Sequence, residues 1–539
     1  MKKIKYIFPV LFLLFSNNST FATISCNIPF QINDAKTANY SSEISLTVEA
    51  NFICDPPIEP PINPPINPSP TFSGIDYHLS TNGILDKPVI VVEGLDPLNE
   101  YSAYDLYRLI PFQLKNGLAA TGRDIVTISF IENTSSLITN ATNLKNFIAW
   151  LNAQKTGAHP NAVIGISMGG VIARYALKLM ENSGAHHDAS LYISFDSPHR
   201  GAFISDDVQP AIKRMLDKVN KYVPSGKRKD NAKKMFRNAL KRIDSTAAHE
   251  MLVTHPESTA FYNTLDNLGY PNDLVRVAFA MGDSNANGTG ISKYPSSTLL
   301  RYRIEVYQLK NYNFNIRVGT CFRPCDLLNG HYASSAGSTS NVIEILDRDL
   351  SDGQYAPIWD YDQYELNITP VGFIPTFSAL DIKHMNMNVP YSDTIKNYSP
   401  FDFVHVEGGN LAHDADSIAA ELYTQQYKIE EYIYNYHVPS PVIPSRANKV
   451  TPLQSINTVR GEWVGAGRNI LSWSRVSGAT HYEIHSSKRS NYPMQVTTSI
   501  GTMISVNQSG YVYVRACDLM TCSYPKSIRV TYSKFYSPF

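Results

Sequence analysis

Residues 160–181, "PNAVIGISMGGVIARYALKLME", decide the fold class of this 539-residue chain. They begin with apolar, partly β-branched residues, which predict a strand, and they end in a run with helical periodicity. Between the two lies a serine, Ser167, with Gly165 and Gly169 two positions away on either side. Larger side chains at those glycines would collide in a tight strand-to-helix turn, and such a turn exposes the serine hydroxyl above a sheet. The segment therefore predicts a nucleophilic Ser167, with an ordinary structural turn as the alternative.

The same alternation of strand and helix runs along residues 74–437. Apolar runs such as "KPVIVVEGLDP", "DIVTISF" and "ASLYISFDSP" predict strands, and stretches such as "ATNLKNFIAWLNAQ" predict the helices between them. This alternation is typical of a mostly parallel sheet with helices on both faces. Residues 202–265 break the pattern, since they are helical throughout and strongly basic, and they predict an inserted cap. Their charges form either a solvated helix face or a contact with an anionic surface.

The N-terminus is typical of an exported protein. Three lysines precede an apolar run and then small residues ending at Ala22, which predicts a signal peptide over residues 1–22 and a secreted or periplasmic protein. The apolar run is too short to span a bilayer. Residues 23–55 form a small segment. Residues 56–73 contain a repeated Pro-Pro-Ile unit, which predicts a stiff polyproline linker.

A second proline-rich linker, residues 438–447, precedes a predicted small all-β module over residues 448–539. Its strands alternate apolar and polar residues, and the arrangement of Trp473 and Tyr482 in "LSWSRVSGATHYEIHSS" resembles fibronectin type III repeats. The resemblance implies a two-sheet sandwich with both aromatic residues in its core.

The six cysteines and the charge balance narrow the function classes. A formal net charge of zero argues against a protein built around nucleic acid. No second Cys or His pair lies at metal-ligand spacing to accompany Cys321 and Cys325, so no metal site is predicted. In an exported protein, cysteines that are close in sequence predict local disulfides, here the pairs Cys26–Cys54, Cys321–Cys325 and Cys517–Cys522.

A serine hydroxyl is a poor nucleophile unless a general base lies within reach and donors stabilise the oxyanion. His413, in "VEGGNLAHDADSIAAELY", lies on a late loop just before the last domain helix and is the predicted base. His405 falls in the strand-like "FDFVHV" and His199 directly follows a core strand, so these two are expected to be packed or to line the site. The predicted oxyanion donors are the backbone N–H groups of Met168, at the helix start, and Leu95, after the first core strand.

Several motifs together resemble the α/β-hydrolase superfamily, in particular secreted bacterial lipase-like and esterase-like proteins. They are "VIVVEGLDP", "GISMGG", "FDSPHRGA" and "FIPTFSALDI", with His413 before the closing helix, and the likeness covers about residues 74–436. The resemblance implies an eight-strand type core, a lid over Ser167, and hydrolysis of a lipid or small ester without metal or other cofactor. Contact with a membrane or cell surface is a further hypothesis.

The acid that should orient His413 has more than one candidate. Topology favours Asp283, in "VAFAMGDSNANG", after the strand that follows the cap. In the stretch resembling lipases, Val371 stands where the aspartate belongs, so the acid could lie further along that loop at Asp381. Asp402 is the third candidate.

Two other readings of the whole chain stay open. One is a non-catalytic surface or adhesion protein on a hydrolase scaffold. The other is an amide or thioester hydrolase that uses the same serine.

Overall fold

The computed structural model describes most of the chain from residue 74 onward. The predictions for residues 1–22, 23–55 and 56–73, and for Cys26, Cys54, Cys321, Cys325 and Cys522, lie outside the described residues. Two compact units divide the chain, Met1–Ile62 and Asn63–Phe539, and every described residue belongs to the second. The described ranges are 74–204, 208–223, 225–253, 255–285, 287, 297–306, 310–318, 326–328, 336–340, 364–365, 371–382, 397–406, 409–446, 453–465, 468–485, 494–506, 509–518, 523 and 526–531.

Within these residues the strands and helices are numbered in chain order. The strands are β1 (Gly74–His78), β2 (Pro88–Val92), β3 (Asp124–Ser129), β4 (Asn161–Ile166), β5 (Ala189–Phe195), β6 (Val275–Ala280), β7 (Ser297–Val306), β8 (Lys310–Val318), β9 (Asp326–Leu328), β10 (Gly337–Ser340), β11 (Tyr364–Glu365), β12 (Val371–Pro375), β13 (Phe403–Val406), β14 (Val459–Gly465), β15 (Arg468–Trp473), β16 (His481–His485), β17 (Gln495–Thr497), β18 (Gly501–Ser505), β19 (Gly510–Cys517) and β20 (Lys526–Val530). The helices are α1 (Ala103–Leu109), α2 (Phe112–Ala120), α3 (Leu137–Gln154), α4 (Met168–Asn182), α5 (Val208–Tyr222), α6 (Lys227–Ile243), α7 (Thr246–Met251), α8 (Pro256–Leu268), α9 (Thr376–Ala379) and α10 (Ala415–Tyr436).

A central sheet has the strand order β1-β3-β2-β4-β5-β6-β13. Only β1 pairs antiparallel with its neighbour in this sheet, and all the other pairs are parallel. Every residue of β2, β4, β5 and β6 is buried, as expected for parallel strands that are covered on both faces. The protein therefore has the predicted α/β-hydrolase fold, with seven strands of the sheet in the described part of the chain.

Two apolar layers lie on opposite faces of this sheet, because successive side chains of a strand point to opposite sides. Ile90 and Val92 of β2 pack with residues of α3, α4 and α8. Val89 and Val91 pack with residues of α1, α2 and α10. The site described below therefore stands on a sheet that is held rigid from both sides.

Helices α5 to α8 occupy the stretch between β5 and β6, where the cap was predicted. Helix α5 buries Ile212, Met215 and Val219, which share one helix face. The opposite faces of α5 and α6 carry exposed basic side chains, among them Lys213, Arg214, Lys234, Arg237 and Lys241. The described residues contain no helix that is both long and apolar enough to cross a membrane.

The C-terminal strands form two sheets of an all-β sandwich, with orders β14-β15-β18 and β17-β16-β19-β20. Trp473 and Tyr482 are buried in its core with ring centroids 5.4 Å apart. The Tyr482 hydroxyl accepts a hydrogen bond from the Val476 N–H at 3.0 Å. Both aromatic residues are thus core residues, as the fibronectin-like pattern implied. Cys517 is buried at the end of β19, and its pairing with Cys522 stays a prediction.

Candidate active site

Ser167 lies in the single-residue turn between β4 and α4. Its backbone has φ 53° and ψ −124°, a conformation that costs a non-glycine residue about 1–3 kcal/mol and must be held by its surroundings. The Ser167 N–H donates to the carbonyl oxygen of Phe195 at 2.9 Å. A Cβ on Gly165 would lie 2.4 Å from the backbone of Gly170, and one on Gly169 would lie 2.4 Å from the carbonyl oxygen of Val92. The two flanking glycines are therefore required, and the turn is the tight strand-to-helix turn that the sequence predicted.

His413 reaches Ser167 from the loop that precedes α10. Its backbone N–H donates to the Thr339 carbonyl at 2.9 Å, which fixes the loop against β10. The imidazole Nε2 lies 2.7 Å from Ser167 Oγ, and Nδ1 lies 2.7 Å from Oδ2 of Asp196. With the proton on Nδ1, the ring donates to Asp196 and its Nε2 accepts the serine hydroxyl.

Asp196 directly follows β5 and is almost fully buried, with 1% of its side chain exposed. Its N–H donates to the Phe279 carbonyl at 2.8 Å, and its Oδ1 accepts the Met281 N–H at 3.0 Å. One carboxylate oxygen is thus held by the backbone while the other faces His413. The three residues form a continuous hydrogen-bonded chain, from Asp196 through His413 to Ser167.

This geometry corrects the prediction of the acid, because neither Asp283 nor Asp381 lies beside His413. The carboxylate of Asp283 accepts hydrogen bonds from the Asn285 N–H at 2.6 Å and from the Asn287 side chain at 3.1 Å. It therefore closes its own loop and does not orient the imidazole.

Asp381 is a buried structural anion. It pairs with Arg174 at 3.0 Å and also with Arg200. The third candidate, Asp402, receives two 2.7 Å hydrogen bonds from the Arg446 guanidinium. Both carboxylates are buried and neutralise arginines from other parts of the chain, a role that the sequence does not display.

A signal for Asp196 was present in "FDSPHRGA". The carboxyl ends of parallel strands meet at one edge of a sheet, and polar residues at that edge are the usual site residues. Asp196 is the acidic residue at that end of β5, which pairs directly with the serine strand β4. The prediction considered only positions after the cap and so missed it.

The two rival histidines each contact a polar side chain other than Ser167. His199 is fully buried with its Nε2 2.8 Å from Ser194 Oγ, and burial lowers the pKa of His199 well below its ordinary value. His405 lies in β13, where its Nε2 is 2.8 Å from the Tyr432 hydroxyl.

The loop of residues 93–96 packs directly on Ser167. A Cβ on Gly94 would lie 3.1 Å from Ser167 Cβ. The Asn133 side chain holds this loop, since it donates to the Gly94 carbonyl at 2.9 Å and to Glu93 Oε1 at 2.9 Å, and it accepts the Asp96 N–H at 2.6 Å. The loop that contains the predicted donor Leu95 is therefore fixed by a buried side chain from outside it.

Glu93 is a buried carboxyl group beside this loop. Only 6% of the residue is exposed, and its Oε1 also accepts the Phe130 N–H. Desolvation raises the pKa of Glu93 to about 8, against the smaller lowering effect of its two hydrogen bonds. Glu93 is thus mainly protonated at neutral pH.

A cavity of about 230 Å³ opens on Ser167 and His413. Its walls are predominantly apolar, and they come from the cap as well as from the core. The cap contributes Ile204, Ile243, Ala248, Met251 and Leu252, and the other walls include Leu106, Leu109, Phe373 and Ile418. Arg242 of α6 also lines the cavity and pairs with Glu100 at 3.1 Å.

No family model and no curated protein sequence matches the chain. Similar solved structures include lipase BlEst2 from Bacillus licheniformis in its propeptide form, at 11% identity and a TM-score of 0.33, covering 83% of this chain and 76% of that one. An α/β-hydrolase superfamily protein from Enterococcus faecalis is similar at 14% identity and a TM-score of 0.24, over 38% of this chain and 74% of that one. The protein FN3tt is similar at 20% identity and a TM-score of 0.14, over 16% of this chain and all of the other. These values are too low to transfer an activity, so function must be inferred from the geometry around Ser167.

Proposed function

We propose that the protein is a serine hydrolase that cleaves carboxylic esters with an apolar acyl chain. The observation that carries the proposal is the hydrogen-bonded chain Asp196–His413–Ser167, with the serine on a strained turn at the mouth of an apolar cavity. A nucleophile, a base in contact with it and a group that orients the base are the parts that acyl transfer needs. An export route, secreted or periplasmic, is proposed from the sequence alone.

The chemistry follows from the atoms in place. Ser167 Oγ attacks the ester carbonyl carbon while His413 Nε2 takes its proton, and Asp196 stabilises the imidazolium through Nδ1. The N–H groups of Met168 and Leu95 are the proposed donors to the tetrahedral oxyanion. His413 then gives the proton to the leaving alcohol, and an acyl-enzyme on Ser167 remains. Water, deprotonated by His413, releases the acid and restores the serine.

The cavity supports an apolar acyl group as the part of the substrate that is buried. Leucine, isoleucine, methionine and phenylalanine side chains are the largest group among its wall residues. Apolar burial supplies about 25 cal/mol for each Å² removed from water. Because wall residues such as Ile243, Met251 and Leu252 belong to the cap, movement of the cap would set access for long chains.

The test is a panel of p-nitrophenyl esters from acetate to palmitate, assayed with wild type and Ser167→Ala. We expect turnover that rises with acyl length up to the capacity of the cavity and that Ser167→Ala abolishes. Turnover unchanged in Ser167→Ala would contradict the proposal. Failure of wild type on every ester, together with no covalent labelling of Ser167 by a fluorophosphonate, would favour the non-catalytic surface protein, and turnover of amides or thioesters alone would favour the other alternative.

A further inference from the structure

Two histidines and a glutamate converge where α7 passes into α8, outside the site around Ser167. His249 lies in the last turn of α7, His255 is the residue before α8, and Glu257 lies in the first turn of α8. One ligand atom from each of the three lies within 4.8 Å of the others. We propose that these residues bind a divalent transition-metal ion of the zinc class.

The surroundings of His249 match those of a metal-ligating histidine. Its Nδ1 faces Glu257 Oε2 at 3.6 Å, while its Nε2 bonds to Asp244 Oδ1 at 3.2 Å. Ligating imidazoles almost always donate their other ring N–H to a carboxylate or carbonyl, which fixes the tautomer and leaves a lone pair for the metal. Asp244 is itself held by Gln209 and by Lys213, the latter at 3.6 Å. The carboxylate is therefore already in position to orient the His249 ring.

His255 provides the second, independent observation. Its Nδ1 is buried and has no hydrogen-bond partner within the described residues. A buried polar atom without a partner is costly, and most such atoms have one. The two imidazole rings stack with centroids 3.8 Å apart and planes 9° apart. A metal ion bound at Nδ1 would give this nitrogen a partner. Because a bound ion lies in the plane of the imidazole that ligates it, one of the two rings turns out of the stack when both bind the same ion.

The donor set selects the class of metal. Two imidazole nitrogens and one carboxylate oxygen suit Zn²⁺ and its neighbours in the first transition row, whereas Mg²⁺ and Ca²⁺ prefer oxygen ligands throughout. Zinc bonds of about 2.0–2.2 Å require the three ligand atoms to approach one another further, and the exposed Glu257 side chain can move to do so. A water completes the tetrahedron. The sequence prediction of no metal rested on the lack of a second Cys or His pair at ligand spacing, and this set of two histidines and a glutamate does not follow that pattern.

The other group of metal-binding types in the described residues, His481, Glu483 and Cys517, carries no such proposal. Glu483 already accepts hydrogen bonds from Arg515 at 2.8 Å and from His485 at 3.0 Å. Both hydrogen bonds are made to Oε2, so that oxygen is already engaged in joining β16 to β19.

Binding would join α7 to α8. Ala248 and Met251 of α7 line the cavity at Ser167, so the metal ion would hold one wall of that cavity. The site itself uses no residue of the hydrogen-bonded chain at Ser167. Metal binding can therefore be tested independently of the proposed hydrolase activity, and Ser167→Ala is expected to bind the ion like wild type.

The experiment titrates untagged full-length protein with Zn²⁺ against a competing fluorescent indicator and follows the urea midpoint with and without Zn²⁺. We expect one Zn²⁺ per chain and a higher urea midpoint with the metal. Asp244→Asn should weaken affinity about 10- to 100-fold, as loss of an orienting carboxylate does. His249→Ala and His255→Ala should weaken it more. Glu257→Gln, at an exposed position that does not threaten folding, should also weaken it.

His186→Ala is the matched control, because His186 is exposed and lies outside this group. It should bind Zn²⁺ like wild type. The proposal is overturned if wild type shows no saturable binding of one equivalent, if Glu257→Gln and His255→Ala both bind like wild type, or if His186→Ala loses binding to the same degree.

Discussion

Replacing Glu93 by Gln tests whether a buried neutral carboxyl group supports the loop beside Ser167. Desolvation raises the pKa of Glu93 from its ordinary value of 4.5 to about 8. The difference of about 3.5 pKa units corresponds to an upper bound of about 5 kcal/mol, at 1.36 kcal/mol for each unit. Only 6% of the residue is exposed, so solvent screening reduces this figure little.

The sign follows from the direction of the shift. A carboxyl group whose pKa is raised by folding contributes stability that is fully present below pH 4.5, its pKa in the unfolded chain, and that is lost as the pH rises to about 8. The contribution of Glu93 to the wild-type free energy of unfolding should therefore fall between pH 5 and pH 9. In Glu93→Gln the Oε1 that accepts from Phe130 and Asn133 is retained, and no ionisation occurs. The fall should be smaller in the variant by a few kcal/mol, up to about 5.

Activity should follow the same titration. Ionised Glu93 would place a negative charge beside the proposed oxyanion donors and would weaken their effect. We expect kcat/KM of wild type for a p-nitrophenyl ester to decline above about pH 8, and that of Glu93→Gln to decline less.

Urea unfolding at pH 5, 7 and 9 and a pH–rate profile from pH 5 to 10 measure both effects. Glu132→Gln, which removes an exposed carboxylate close to Asn133 in the chain, is the control and should keep the wild-type pH dependence. If the free energy of unfolding changes with pH to the same extent in wild type and Glu93→Gln, the raised pKa of Glu93 is refuted, whatever the two proteins' activities.

Three further predictions concern other parts of the molecule. Asp196→Asn is expected to lower kcat about 10³- to 10⁴-fold with little change in KM, because His413 loses its anionic partner. An assay with a p-nitrophenyl ester measures this loss. A larger loss in Asp283→Asn would support the sequence prediction of the acid instead. Asp381→Asn should lower the free energy of unfolding by about 3–5 kcal/mol, since it leaves Arg174 and Arg200 without their buried anion. A loss below about 1 kcal/mol in urea denaturation would contradict this structural role. If the exposed basic face of α5 and α6 contacts anionic lipid, hydrolysis at anionic vesicles should be faster than at neutral vesicles. The difference should decrease as salt is raised above about 0.1 M, where the Debye length is about 10 Å. Activity that depends on neither salt nor lipid charge would indicate that this face is only solvated.

Much of the fold and part of the site could be predicted because their signals are local. Apolar runs, helical periodicity and the two glycines around Ser167 are set by neighbours in the chain, so the strand–turn–helix unit is visible in residues 160–181. His413 was predicted for a similar reason, since it lies on a loop that the following helix defines. These features depend on steric and burial rules that act over a few residues.

The acid and the neutral carboxyl group were decided only by tertiary structure. Asp196 and His413 are 217 positions apart and meet because β5 pairs with β4 and because the loop before α10 is held by β10. Asp381 was excluded only by its burial against two arginines from other elements. The raised pKa of Glu93 likewise depends on desolvation by the whole fold. The sequence by itself determined which residue types are available for catalysis. Packing between distant segments decided which carboxylate faces His413 and which carboxyl group stays neutral, because charges and hydrogen-bond partners act through space and not along the chain.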